Sequence, residues 1–186
     1  FYDTKELRRL IPYNPVKAIG LYRRAATKHF SDAGYAALQA AFGYIFHIGH
    51  LPLDWGLIAD LTHMAATKER FMFSLPYIGY MRIHGLGVTK NIRFGVQSLL
   101  RVLDEEQRAF EEENRILFYD ITRALTRVAL GYAYEKGYVT GKPDLDQAVS
   151  YYEQSHQYIL SHKANLDPEL KDIPIDDEAE ERLAAF

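Results

Sequence analysis

The segment IGYMRIHGLGVTKNIRFGVQSLLRV, residues 78–102, reads as two helical stretches joined by a Gly-rich connection. The spacing of its apolar residues is helical on both sides of that connection. Gly85 suits a helix C-terminus in the left-handed conformation, and Asn91 is a plausible N-cap for the second helix. The segment therefore predicts a helical hairpin.

The first helix of this hairpin belongs to a repeated pattern: an apolar residue, Gly-Tyr, four residues and a second Gly. The pattern occurs in FGYIFHIGH at 42–50, IGYMRIHGL at 78–86 and LGYAYEKGY at 130–138. The glycines at the repeated positions are Gly43, Gly49, Gly79, Gly85, Gly131 and Gly137. Gly inside a helix costs about 1 kcal/mol relative to Ala. Because this cost recurs at one phase, we expect the first Gly to let the next helix approach closely.

The fold class predicted from the whole chain is all-α. Alternation of apolar and polar residues is scarce, and no Asn-Gly or Asp-Gly hairpin turn occurs in the 186 residues. Each copy of the pattern is followed by a polar or Pro-bearing connection and a second helical segment. Asp144, like Asn91, is a plausible N-cap of that second helix, and Leu51-Pro52 marks its predicted start in the first hairpin. An additional copy of that second segment, NPVKAIGLYRRAATKHF, stands near the front of the chain.

These features resemble the Sel1-like repeat family, which is closely related to the tetratricopeptide repeats. The connection HGLGVTKN and the run AATK at 25–28 and 65–68 carry the resemblance, together with the Gly-Tyr pairs. It implies a right-handed superhelix of about three full helical hairpins plus an N-terminal half repeat. Arg82 departs from the family pattern, because Phe46 and Tyr134 keep an aromatic residue at the equivalent position.

The resemblance divides the chain into an array with two flanking segments. The predicted ranges are an extension at 1–13, a half repeat at 14–30, full repeats at about 31–69, 70–110 and 111–163, and an acidic tail at 164–186. The last interval between repeats is too long by 16 residues, which fall within 103–120. We interpret them as helix extensions whose acidic residues, Glu105 and Glu106 among them, form a solvent-exposed face.

The tetrapeptide HIGH at 47–50 also occurs in nucleotide-binding enzymes, where it opens a helix after a parallel strand. Here the preceding segment is helical and the tetrapeptide closes it, with Gly49 as the repeat glycine. A nucleotide site is therefore not expected. His47 and His50 lack an evident third metal ligand, since His63 and His84 are predicted on separate helices.

No cofactor, metal or enzymatic activity is expected from the sequence. The chain contains no Cys, no P-loop and neither of the common Ser-nucleophile and zinc-helix motifs. The tail at 164–186 carries a net charge of −6, which leaves +3 for the rest of the net −3 chain. The weakly basic charge of the residues before the tail is not typical of a nucleic-acid-binding surface. The first residues lack the pattern of a signal peptide, which favours an intracellular location.

By analogy with tetratricopeptide repeats, the residue after the first repeat Gly faces the concave groove. The predicted partner-binding residues are Tyr44, His47, Tyr80, Arg82, His84, Tyr132, Glu135 and Lys136. Tyrosines are favoured in recognition surfaces because they supply rigid contact area. The alternative is that these tyrosines pack against the neighbouring helix. Arg82 either binds a carboxylate or extends its charged end to solvent.

The resemblance implies a non-catalytic scaffold that binds a protein or peptide partner, as a subunit of a larger complex or an assembly factor for one. Two alternatives stay open. The groove of an all-α regulatory or enzymatic domain could hold a small ligand. Alternatively, the array is purely architectural and makes its contacts through its outer face and acidic tail.

Overall fold

A computed structural model describes residues 15–28, 32–45, 51–67, 71–111 and 120–165. Within these ranges the regular elements are all α-helices, as the sequence predicted. They are α1 (Pro15–Ala26), α2 (Ala33–Ile45), α3 (Trp55–Thr67), α4 (Phe71–His84), α5 (Ile92–Glu111), α6 (Asp120–Glu135) and α7 (Leu145–Asn165).

Each helix packs against the next one along the chain, and α4 also packs against α6. Short connections join α2 to α3, α4 to α5 and α6 to α7, so that these pairs form antiparallel hairpins. Helix α1 precedes them and packs on α2. Stacked hairpins that contact mainly their neighbours make an α-solenoid.

The first Gly of the repeated pattern lies at a close helix contact in each hairpin. A Cβ on Gly79 would lie 2.7 Å from Leu99 of α5, and one on Gly131 would lie 2.5 Å from the Tyr152 ring of α7. Gly43 differs, because a Cβ there would overlap Ile19 of the preceding helix α1. The expected close approach is therefore present, but in the first hairpin it involves the helix before and not the helix after.

The connection between α4 and α5 closes the helix end with backbone hydrogen bonds. Gly85 has a φ of +78°, and the N–H of Leu86 donates to the carbonyl of Met81 at 3.0 Å. This is the Schellman arrangement, which satisfies carbonyls at the helix end. The third hairpin has the same arrangement at the equivalent residues Gly137, Tyr138 and Ala133.

The second helix of each hairpin begins at a capping side chain. Oδ1 of Asn91 accepts the N–H of Phe94 at 3.0 Å, and Oδ1 of Asp144 accepts the N–H of Gln147 at 3.1 Å. Both predicted N-caps are confirmed. Leu51-Pro52 was wrong as the start of the second helix in the first hairpin. Helix α3 begins at Trp55, and Asp54 accepts the N–H of Leu57 at 3.0 Å.

A buried ion pair joins the second hairpin to the third. The guanidinium of Arg127 on α6 contacts both carboxylate oxygens of Glu106 on α5, at 3.0 and 2.6 Å. Their side chains are only 9% and 10% exposed. The prediction that Glu106 belongs to a solvent-exposed face was wrong, because its partner lies across the repeat boundary and covers it.

We expect Gly87→Ala to destabilise the chain far more than Gly141→Ala. Both glycines have positive φ, +65° and +85°, so each Ala bears a similar backbone strain of about 1–2 kcal/mol. A Cβ on Gly87 would in addition overlap the carbonyl of Trp55 at the start of α3, whereas Gly141 has open space. Urea unfolding should show a total loss of about 3 kcal/mol or more at Gly87. Equal losses would mean that this connection does not press on α3.

Glu106→Gln should lower the free energy of unfolding by about 3 kcal/mol, because it leaves the charge of Arg127 buried without its carboxylate. The matched control is Glu105→Gln. Glu105 pairs with Arg108, whose side chain is 64% exposed, and such pairs contribute less than about 1 kcal/mol. Thermal and urea unfolding measure both variants, and similar losses would contradict the assignment of a buried pair.

Candidate partner-binding surface

Five aromatic side chains from three helices and one connection form a continuous series, which we call the aromatic row: Trp55, Tyr80, His84, Tyr132 and Tyr138. Successive ring centroids lie 6.1, 4.5, 4.6 and 6.0 Å apart. Separations of this size are typical of interacting aromatic pairs.

The row arises from the packing of α4 on α6. Tyr80 and His84 are four residues apart on α4 and therefore share one helix face. Tyr132 occupies on α6 the repeat position of Tyr80, and the imidazole of His84 lies between the two phenol rings. The row thus crosses the boundary between the second and third hairpins.

The aromatic row is half-buried. Each of its five side chains is partly accessible to solvent, and the tyrosines and Trp55 pack with their inner sides on the hydrophobic core. Tyr80 contacts both of the larger core clusters. The sequence left open whether these side chains pack on the core or face solvent. In the structure they do both.

Charged residues flank the row at its α6 end. Nζ of Lys136 lies 5.7 Å from the centroid of the Tyr132 ring, and its side chain is 44% exposed. Lys136 also pairs with Glu135, whose Oε2 accepts the hydroxyl of buried Tyr152 at 2.9 Å. Glu135 is thereby tied to α7, whereas Lys136 lies at the open edge of the row.

Arg82 does not join the aromatic row. It is two residues from Tyr80, about 200° around the helix. Its Nη1 donates to the carbonyl of Thr89 at 2.8 Å, and its guanidinium lies 6.0 Å from the Phe94 ring centroid. These contacts hold the α4–α5 connection against α4. They account for the position of the Arg82 side chain without a carboxylate from a partner.

Tyr44 is also separate from the row. It is 7% exposed, and its hydroxyl accepts Nη1 of Arg23 on α1 at 3.0 Å. The packing alternative describes Tyr44 better than the groove prediction does, because α1 covers this side of α2. His47 and Gly49 lie outside the described residues.

The opposite side of α6 carries a second aromatic pair that the sequence did not reveal. Tyr134 stacks on Tyr151 of α7, with ring centroids 5.4 Å apart and planes inclined by 22°. Burial raises the pKa of Tyr151, and Tyr134 raises it further, while Arg127 opposes the shift. In the sequence Tyr134 stands out only as a family aromatic position, because its stacking partner lies on another helix.

In the ranges that the structure covers, no three His, Asp or Glu side chains are grouped so as to hold a metal ion. His63 is exposed on α3, whereas His84 lies in the aromatic row. None of the helices within those ranges combines the length and the apolar character that crossing a membrane requires.

The stacked hairpins define the chain as an α-solenoid repeat protein. A sequence profile of the Sel1 repeat matches residues 7–29, 77–97 and 122–155. The second and third matches cover the α4–α5 connection and most of the third hairpin. The chain is a Sel1-like repeat protein. No curated protein and no solved structure matches it.

Sel1 repeats are generally protein–protein interaction modules, and the family is one of non-catalytic repeat scaffolds. The family therefore implies a protein partner for this chain.

The raised pKa of Tyr151 predicts a loss of stability at alkaline pH. The unfolded state ionises near the ordinary Tyr pKa of about 10, whereas the folded state resists ionisation. The stability contributed below pH 10 is therefore lost as pH rises through the folded pKa. The free energy of unfolding, measured with urea, should fall more steeply above pH 10 for the wild type than for Tyr151→Phe. Parallel curves would show that Tyr151 is not held in this environment.

Proposed function

We propose that this protein is a non-catalytic adaptor that binds a protein or peptide partner through the aromatic row, within a larger complex. The observation that carries the proposal is the continuity of the row across two hairpins through Tyr80, His84 and Tyr132. A surface that spans a repeat boundary is correctly arranged only when both hairpins are in register.

The composition of the row fits protein recognition. Tyr and Trp are enriched among the residues that dominate binding energy in protein interfaces. Because the inner sides of these rings pack on the core, they lose little conformational freedom on binding. Lys136 at the edge supplies a charge that selects partners and influences the association rate.

The proposed surface therefore differs from the groove predicted from the sequence. It keeps Tyr80, His84, Tyr132 and Lys136 and adds Trp55 and Tyr138. Arg82 and Glu135 are left out as contact residues because Arg82 is bound to the α4–α5 connection and Glu135 to Tyr152 of α7, whereas Lys136 pairs at the exposed edge of the row. Tyr44 is left out because it is buried.

Affinity capture with the full chain, followed by quantitative mass spectrometry, tests this surface. Tyr132→Ala and Lys136→Glu should each reduce recovery of specific partners, by about tenfold for the aromatic truncation. The matched controls are Phe94→Ala, an exposed aromatic residue on α5 outside the row, and Arg93→Glu, an exposed charge reversal on the same helix. Both controls should retain the partners.

Lys136→Glu separates binding from folding, because Lys136 is 44% exposed and its pair with Glu135 is a surface pair, whose loss costs less than about 1 kcal/mol. Circular dichroism melts should show this variant within a few degrees of the wild type. Once a partner is purified, the emission of Trp55, the one tryptophan in the chain, should change on binding. Undiminished recovery with both row variants would refute the proposed surface.

A further inference from the structure

Two lysines stand at equivalent positions in the second and third hairpins. Lys90 follows Gly85 by five residues, and Lys142 follows Gly137 by five. Both glycines have positive φ, and they lie just after α4 and α6, the two helices at the centre of the aromatic row. Each connection therefore presents one lysine at the same phase of the repeat.

The backbone at each lysine is held in place. A Cβ on Gly85 would lie 3.3 Å from Cβ of Lys90, and one on Gly137 would lie 2.9 Å from Cα of Lys142. The α4–α5 connection, which carries Lys90, is held against α4 by hydrogen bonds. In the α6–α7 connection, Oγ1 of Thr140 donates to the carbonyl of Lys142 at 2.6 Å. Each lysine thus extends from a fixed point of the surface.

The charged ends of both lysines are accessible. Both side chains are exposed, and among the described residues neither forms an ion pair. The sequence from 71 to 103 contains no Asp or Glu, so the second hairpin offers Lys90 no acid before the last part of α5. Near Lys142, Asp144 caps α7 and Asp146 lies in the first turn of α7, where the helix N-terminus stabilises its charge.

The two lysines border the aromatic row. Lys90 packs on the residue after His84, and Lys142 packs on the residue before Tyr138. Because α4 and α6 pack side by side, equivalent positions on them are about 8–10 Å apart. An extended peptide spans this distance in about three residues. We propose that the partner segment bound by the aromatic row is acidic, with carboxylates two to four residues apart that contact Lys90 and Lys142.

This partner chemistry rests on the proposed function of the aromatic row. Lysines at the rim of an interface select partners of complementary charge and raise the association rate. Aromatic rings beside lysines also occur in proteins that bind single-stranded nucleic acids, where the bases stack on ring faces. Here the rings of Tyr80, His84 and Tyr132 lie 4.5 and 4.6 Å apart with planes inclined by 39° and 35°, so they cover much of each other's faces. This arrangement favours a peptide over a nucleic acid.

Selection of random peptides displayed on phage, with the full chain as bait, tests the proposal. Peptides of about 12 residues are long enough to span the row. Those that depend on the row should combine an apolar or aromatic residue with Asp or Glu two to four positions apart. Dependence on the row is measured with Tyr132→Ala and, should that variant not fold, by the change in Trp55 emission. The tightest selected peptide is synthesised with a fluorescent label and serves as the probe.

Removal of either lysine charge should weaken binding of this probe. We expect Lys90→Gln and Lys142→Gln each to raise the Kd by about two- to fivefold, the range for exposed ion pairs, and Lys90→Arg to restore it. In the double Gln variant the Kd should depend less on NaCl concentration than in the wild type. The matched controls Arg24→Gln on α1 and Arg93→Gln on α5 remove exposed charges elsewhere and should leave the Kd unchanged.

The acidic partner and the aromatic row fail in different ways. Row-dependent peptides without enrichment of acids, or with a Kd insensitive to both lysines, would overturn the acidic partner and leave the row as the binding surface. The absence of any row-dependent peptide would contradict the row as well. Equal losses at Lys90 and Arg93 would mean diffuse attraction, and tighter binding of a labelled oligouridylate at the same lysines would identify single-stranded RNA. Either result would also overturn the acidic partner.

Discussion

The direct contact between the backbones of α4 and α5 is the constraint on which the rest of the described array depends. A Cβ on Gly95 would lie 2.8 Å from the carbonyl oxygen of Gly79, so the two helices cross with no side chain between them. Such a contact permits very little rotation of either helix. Because Tyr80 follows Gly79 directly, the direction of its ring is set by this contact.

The position of the aromatic row follows from that constraint. With α4 fixed against α5, the face that carries Tyr80 and His84 turns toward α6, where Tyr132 occupies the equivalent repeat position. The rings then belong both to the core and to the surface. Surface rings that are held by the core have little conformational freedom left to lose, and their arrangement depends on the stability of the array.

Charge is distributed unevenly between the two sides of α6. On one side Arg127 is satisfied by Glu106, and Arg123 lines a cleft over the Tyr158 ring. On the other side Lys136 lies above Tyr132 at the edge of the row. A single helix therefore contributes to a buried ion pair, places an exposed charge at the edge of the aromatic row and provides part of a cleft wall.

The sequence by itself determined the helical class, the phase of the repeat, the left-handed glycines and the capping residues Asn91 and Asp144. These features depend on local backbone geometry and on neighbours within one hairpin.

Tertiary structure decided which repeated positions are accessible. Tyr44 and Tyr80 share the same Gly-Tyr motif, yet α1 covers Tyr44, whereas Tyr80 stays half-exposed. The sequence around Glu106 predicts a solvent-exposed acid, but Arg127, 21 residues away, pairs with it and buries it. Local sequence cannot specify these outcomes, because burial is set by helices that are distant along the chain.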